Sequence, residues 1–327
     1  MAAVGEDIFV YMGGEQRVPR GVTHILIDPS VKIVGKLKFW VFWYRERLVS
    51  VIFHDGVEII EEQAFWNCFS LSGGIKLIGV REIGQGAFSG CAALTVVEFG
   101  DRLETIGIGA FSGCASLRSI KSLSARIVQP QAFSRCEQLA EAEFGIDLEF
   151  IGFNSFCDCP NLRRVAIPLK YNLFQIDPIE RRYTQFHRCD NLTTVEIVGA
   201  EGLHKTISSL HLKNWRDDMS EEIDRINQEL PNTFSCAKTG LIQRWIRSVI
   251  NRMEHYKAEH NRLLKEHMIL LELAIWKTKL DEKEDNCTQK VQAERAKIDE
   301  ERARGEKRIT SGADIIIKNV IPFLKLA

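Results

Sequence analysis

The 327 residues are 45% hydrophobic and 27% charged, with 43 Lys and Arg against 44 Asp and Glu for a formal net charge of -1. That is enough apolar material for a sizeable core, and the near-neutral balance removes the electrostatic case for nucleic-acid binding. No segment is apolar for long enough to span a membrane, and Glu6 and Asp7 stand where a secretory signal would carry basic residues, so the expected location is intracellular and cytoplasmic.

Residues 1–30 are expected to form an N-terminal cap, ahead of a repeat region over 31–202. In that region the pattern Ala-Phe-x-x-Cys-x-x-Leu keeps returning. The marker phenylalanines are Phe42, Phe65, Phe88, Phe111, Phe133, Phe156 and Phe186, at steps of 23, 23, 23, 22, 23 and 30 residues. Three residues on lie Cys68, Cys91, Cys114, Cys136, Cys159 and Cys189, with Arg45 in the first repeat's slot. Six residues on lie Leu48, Leu71, Leu94, Leu117, Leu139, Leu162 and Leu192. Behind each leucine apolar residues alternate, as in Leu94-Thr95-Val96-Val97-Glu98-Phe99, which is the period of a half-buried strand. Five residues ahead of their markers stand Ile60, Ile83, Ile106, Val128 and Ile151. With Gly84, Gly107 and Gly152 after three of them, they read as the turn that brings the chain back to the next coil.

A coil this short cannot bury its own apolar face, so each must stack on its neighbours. The expected fold class is α/β: a solenoid of about seven repeats of about 23 residues, with a short parallel sheet, followed by an α-helical C-terminal region. At about 4.8 Å per strand, such a sheet spans roughly 30 Å. Six of the nine cysteines fall at one repeat position, where a small apolar side chain suits a crowded core. The odd total and the missing signal favour reduced thiols. Cys157-Asp158-Cys159 lacks the second pair that a zinc site needs.

The runs Ile83-Gly84-Gln85-Gly86-Ala87-Phe88 and Ile106-Gly107-Ile108-Gly109-Ala110-Phe111 carry the motif I-G-x-x-A-F-x-x-C-x-x-L-x-x-V-x-F/I, which resembles the BspA-type leucine-rich repeat from about Val31 to Gly199. The resemblance implies a leucine-rich-repeat solenoid, and cell-surface binding in some members. The stretch from His204, with Lys205-Thr206-Ile207-Ser208-Ser209-Leu210-His211 and Gly312-Ala313-Asp314-Ile315, is similar to the tail of an uncharacterised leucine-rich repeat family of diatoms.

Breaks in a repeat are where function is inserted. Gly74 and Lys76 occupy slots that are apolar elsewhere, and a bulge that re-phases Ile75 and Leu77 would repair the strand. The step of 30 places an insertion over 168–185 carrying Tyr171, Phe174, Arg181, Arg182 and Tyr183, the aromatic and arginine chemistry of interface hot spots; the alternative is a tolerated surface loop. An outward column is expected to run Ile52, Ile75, Glu98, Lys121, Glu143, Ala166, Glu196, its alternating charges suited to cross-strand pairing. Arg118, Glu141, Arg163 and Arg164 lie beside it. This concave, mixed-charge face with the insertion is the candidate protein-binding surface; a solvated sheet with self-satisfied charges is the alternative.

After Gly202 the spacing turns helical. Ile207, Leu210, Met219, Ile223, Ile226 and Leu230 fit one face of a capping helix within 203–232, closed by Pro231. The remainder, 233–327, reads as a helical, coiled-coil-like tail. In it a helix over about Leu241 to Leu280 has a seam including Ile242, Ile246, Val249, Met253, Leu263 and Leu270. At roughly 60 Å it must project, fold back or pair with another chain. His255, His260 and His267 are spaced by five and seven, unlike helical metal ligands. Asp281 to Arg308 reads as a solvated helix or partly disordered, and the apolar residues Ile315 to Leu324 as a docking segment.

No phosphate-binding loop, H-E-x-x-H helix, G-x-S-x-G elbow or kinase signature is present. The reading is a non-enzymatic protein-interaction scaffold without catalytic residues, metal or cofactor, whose partner is a protein, with no nucleic acid and no membrane. The alternatives are an adhesin-like surface protein and a homo-oligomer assembled through the C-terminal helices.

Overall fold

The computed structural model describes residues 8–14, 16, 18–35, 42–199 and 213–296. The chain divides into two compact units between Glu254 and His255. The first holds fifteen strands: β1 (Ile8–Tyr11), β2 (His24–Ile27), β3 (Ile33–Val34), β4 (Ser50–Ile52), β5 (Ile59–Ile60), β6 (Gly73–Leu77), β7 (Glu82–Ile83), β8 (Leu94–Phe99), β9 (Thr105–Ile106), β10 (Ser119–Ser122), β11 (Ile127–Val128), β12 (Glu141–Phe144), β13 (Phe150–Ile151), β14 (Arg164–Pro168) and β15 (Thr194–Val198).

These strands build three parallel sheets. The main one runs β6-β8-β10-β12-β14-β15, and β1-β2-β4 forms a three-stranded sheet. The third, β3-β5-β7-β9-β11-β13, is made of two-residue strands. The solenoid expected from the repeat is the fold found, with one correction. The residues Ile60, Ile83, Ile106, Val128 and Ile151, read as turns, are instead inward-facing members of this third sheet. Two residues per strand are too few to show a period of two, so pattern alone missed it. The glycines behind them answer to the neighbouring coil: a Cβ on Gly107 would lie 2.6 Å from the carbonyl oxygen of Ile83, and one on Gly84 2.6 Å from the Glu62 nitrogen.

The Ala-Phe-x-x-Cys segment makes the third side of each coil, and its backbone bonds to the next coil too. Phe65 N–H donates to Ala87 O at 2.7 Å, Phe88 to Ala110 at 2.8 Å and Phe111 to Ala132 at 2.8 Å. In the coils marked by Phe65 to Phe156 the residues two before and two after the marker are left-handed, as at Gln63 and Asn67, or Gln131 and Arg135. Inside, the marker rings form one stack from Phe42 to Phe186, with centroids 4.6 to 5.6 Å apart. Tyr11 closes its N-terminal end edge-on to Phe42 at 5.0 Å.

The cysteines do more than fill space. Each thiol donates to the carbonyl of the preceding coil's phenylalanine: Cys68 to Phe42 (3.0 Å), Cys91 to Phe65 (3.2 Å), Cys114 to Phe88 (3.2 Å), Cys136 to Phe111 (3.2 Å), Cys159 to Phe133 (3.1 Å) and Cys189 to Phe156 (2.9 Å). The carbonyls of Phe42, Phe65, Phe88 and Phe111 already accept the N–H three residues on, so the thiol gives them a second bond that ties adjacent coils together, which Ala or Val would not supply. Arg45, in the same slot of the first coil, reaches the carbonyl of Val18 at 2.7 Å.

The expected bulge is present, and Ile75 and Leu77 are buried. The register shift lies opposite Gly73 and Gly74, where β8 carries the extra residue, Thr95. Its hydroxyl bonds the Gly73 carbonyl at 2.8 Å.

Helix α1 (Lys213–Glu229), a short 3-10 turn (Leu230–Asn232) and α2 (Ser235–Ala296) follow. Ile226 of α1 and Leu230 of the 3-10 turn are buried. Glu222, also buried, pairs with Arg225 and with Arg252 of α2, and its carbonyl accepts the Trp245 indole N–H at 3.1 Å. On α2, Ile242, Trp245, Ile246 and Val249 are buried in the first unit. Farther along the same seam Leu263 and Leu270 are exposed. The expected Ile207 and Leu210 contacts, the 297–308 part of the charged run and the Ile315 to Leu324 segment lie outside the described residues.

Candidate protein-binding face

The register of the main sheet sets out its outward residues in rows. One row is Gly74, Val96, Ser119, Glu141, Arg164, Thr194; the next is Lys76, Glu98, Lys121, Glu143, Ala166, Glu196. Lys76, not Ile75, therefore stands in the charged column, because the bulge turns Ile75 inward. Ala166 is in the column but buried.

Most charges in these rows are paired within the sheet. Lys76 bonds Glu98 at 3.1 Å and Lys121 bonds Glu143 at 3.0 Å. Arg164 meets Glu141 at 3.5 Å and makes a two-bond contact with Glu196, at 2.7 and 2.5 Å. The bonds from Arg164 hold the Glu196 carboxyl below its ordinary value of 4.5 and push the Arg164 guanidinium above its own. Exposed pairs of this kind contribute about 0–1 kcal/mol each, so they arrange the face more than they stabilise it. Arg118 and Arg163 are exposed and have no ion pair among the described residues.

The insertion is used differently from the expectation. Phe174 is 5% exposed, packs edge-on to Phe186 at 5.8 Å and pairs with Ile151 as a seventh rung of the short sheet. It belongs to the core. Tyr171 and Tyr183 are contacted from α2: the Gln243 amide donates to the Tyr171 carbonyl at 2.9 Å, and Arg247 donates to the Tyr183 hydroxyl at 3.1 Å while lying 5.2 Å from the Tyr171 ring centre. Arg181 is exposed, and Arg182 is exposed and bonded to Glu180 at 2.5 Å. The loop is organised by buried Asp177, whose carboxylate accepts from Ile179 N (2.8 Å), Glu180 N (3.1 Å) and the Asn154 amide (3.3 Å). Asp177-Pro178 is a turn-forming pair and could have been read as one from the sequence.

Sequence reasoning also missed how the last coil is closed. Each earlier coil's groups bond to the next coil, and here helix side chains stand in for it. Phe186 N–H donates to the Thr239 hydroxyl at 3.0 Å, where the preceding Phe156 N–H uses the Gln185 carbonyl. Lys238, 1% exposed, donates to the carbonyls of Cys189 (3.2 Å), Asp190 (2.7 Å) and Leu192 (2.8 Å). Burial holds its ammonium below the usual lysine value. On the open edge of β15, Val195 N–H donates to the Asn227 side chain at 2.8 Å.

Across both rows and the residues after them, the sheet carries a groove of about 690 Å³ over β6, β8 and β10. Ile78, Val96 and Leu123 line it and are 39%, 42% and 51% exposed. Gly100 lies between Ile78 and Leu123, on the connection after β8. Glu98, Lys121, Asp101 and Asp147 supply the polar rim. Among the described residues no group of three His, Cys, Asp or Glu side chains is placed to hold a metal ion, and no helix is long and apolar enough to cross a membrane.

Residues 22–125 and 75–193 match the model of the BspA type leucine-rich repeat region, in six copies. The chain is similar to a leucine-rich repeat protein from T. pallidum, at 29% identity and a TM-score of 0.40, over 45% of this chain and 69% of that one. A leucine-rich repeat protein from Bacteroides ovatus matches at 22% identity and a TM-score of 0.35, over 54% of this chain and 55% of that one. A leucine-rich cell surface protein from Faecalibacterium prausnitzii matches at 21% identity and a TM-score of 0.33, over 56% and 53%. The chain thus spans about half the length of the latter two. No curated protein matches. With the repeat model covering more than half of its length and the solenoid built from those same residues, the chain belongs to the BspA-type leucine-rich repeat family.

Proposed function

We propose that this protein is a non-enzymatic, intracellular interaction scaffold that binds a protein partner on the outward face of the main sheet. The observation that carries the reading is the face itself: six parallel strands from β6 to β15 present ordered rows of outward side chains, while the inward residues are consumed by the core. Arg118 and Arg163, one residue ahead of β10 and β14, supply exposed cations at its edge with no ion pair among the described residues, and exposed arginines of this kind are common interface anchors. The hydrogen-bonded S–H ladder supports an environment that keeps thiols reduced. A pull-down from native cells tests the face. Arg118→Glu with Arg163→Glu should lose a partner that the unmodified protein retains, whereas Arg20→Glu, far from this sheet in sequence, should keep it. Retention of every specific partner by the double variant contradicts the reading.

A second reading is supported by the second unit. Ile269, Leu270, Leu273 and Trp276 of α2 are 56%, 62%, 59% and 68% exposed on a helix, and two copies of such a helix can bury one another's apolar residues. Light scattering at increasing protein concentration should then report a dimer that Leu270→Glu with Leu273→Glu returns to monomer. A monomer at high concentration removes this reading.

A further inference from the structure

The groove over β6, β8 and β10 has a built-in gap. Ile78 and Leu123 flank Gly100, and neighbouring strands of a sheet lie about 4.8 Å apart, so the two side chains stand roughly 10 Å apart with no side chain between them. Gly100 is required there, since a Cβ would overlap the carbonyl oxygen of Ile78. The coil therefore cannot fill the gap from within. Val96 of β8, four residues before Gly100, lines the other end of the groove, with Glu98 between them. Two partly exposed aliphatic side chains facing each other across a gap form a pair, not the scattered single residues of an ordinary surface.

The rim has a definite charge. Glu98 and Lys121 neutralise Lys76 and Glu143. Asp101 and Asp147 are exposed and have no ion pair among the described residues. Arg126, whose field reaches Asp147, already donates twice to Glu149, at 3.2 and 2.6 Å. The slot is thus apolar at its sides and anionic at its edge. It is open to solvent and holds no converging buried polar groups such as a small polar ligand requires.

From this arrangement, and resting on the reading of the outward face as protein-binding, we infer that the slot over Gly100 receives an aliphatic side chain of a polypeptide partner, with a lysine or arginine beside it facing Asp101 and Asp147. The leucine-sized side chain supplies the apolar burial, and the flanking cation supplies orientation and selects against acidic partners.

Fluorescence polarisation with the full chain and three labelled nonapeptides tests this: one with leucine between two lysines, one with leucine between two glutamates, and one with alanine between two lysines, in an otherwise Gly/Ser sequence. The lysine-leucine peptide should bind at least about tenfold tighter than either of the others, the gain expected for burying one leucine or for replacing repulsion by attraction at a charged rim. Asp101→Asn with Asp147→Asn should remove the preference over the glutamate peptide. Leu123→Ser, an exposed position whose change leaves the core intact, should remove the preference over the alanine peptide. Circular dichroism confirms that both variants are folded. Equal binding of the lysine and glutamate peptides, no saturable binding of the lysine-leucine peptide below about 1 mM, or unchanged preferences in the variants would each overturn the inference. If that happens while the Arg118 and Arg163 double variant still loses its cellular partner, the face is retained and only the slot is wrong.

Discussion

Replacing Lys238 by methionine removes the cation that closes the last coil while keeping much of its length. Three main-chain carbonyls, those of Cys189, Asp190 and Leu192, then lose a donor. Bonds from a charged donor are worth about 1.5–3 kcal/mol each, while relief from burying the ammonium returns several kcal/mol. The net expectation is a loss of about 3 kcal/mol, within the range of about 3–5 kcal/mol for breaking a buried charged contact. Repeat proteins respond locally, since each coil is held by its neighbours. Hydrogen exchange should therefore accelerate most from Thr184 to Val198 and least around Phe88. Urea unfolding measures the free energy, with Lys257→Met, at an exposed position of α2, expected to change it by less than about 0.5 kcal/mol. Unchanged exchange over 184–198 in Lys238→Met, together with a loss below about 0.5 kcal/mol, refutes the idea that the helix substitutes for a further coil.

Thr239→Val leaves the Phe186 N–H without its acceptor and should cost about 1–3 kcal/mol by urea titration. Burial pushes the Cys68 and Cys114 thiols up to about 12, so a short iodoacetamide pulse at neutral pH should label exposed Cys236 and spare both; labelling at Cys114 as fast as at Cys236 contradicts the ladder. Gly100→Ala should fold poorly or lose more than about 3 kcal/mol, because its Cβ meets backbone and not a movable side chain. The depressed Glu196 carboxyl contributes stability that is complete above its unfolded-state value and is lost as pH falls through the lower folded one. Glu196→Gln should accordingly flatten the fall in stability below about pH 4.5 and change it by no more than about 1 kcal/mol at neutral pH; an acid limb identical to the unmodified protein's refutes the pairing.

The solenoid was legible because its period is enforced by stacking: Phe on Phe and Cys on a carbonyl repeat wherever the coil repeats. The short sheet was hidden by its two-residue strands, and the cysteine's role by treating sulfur as bulk when its proton was the point. In the candidate site, the charged column could be read from Glu98, Lys121, Glu143 and Glu196, since alternation along a strand tells outward from inward. Ile75 and Lys76 were exchanged in it because a bulge in β8 alters register without altering the spacing of the markers. Phe174 looked like a surface aromatic because a long step conceals a degenerate rung. Lys238 and Thr239 were invisible as cap residues, because a hydrogen bond between a helix side chain and a coil segment about 50 residues away leaves no periodic trace.

The central claim, that the outward face of β6 to β15 meets the partner, is tested most directly by site-specific photo-crosslinking in native cells. A benzophenone side chain at Ser119, on that face, should give a discrete protein adduct, and the same group at Glu82, on the short sheet, should not. Adducts from Glu82 with none from Ser119 would contradict the account.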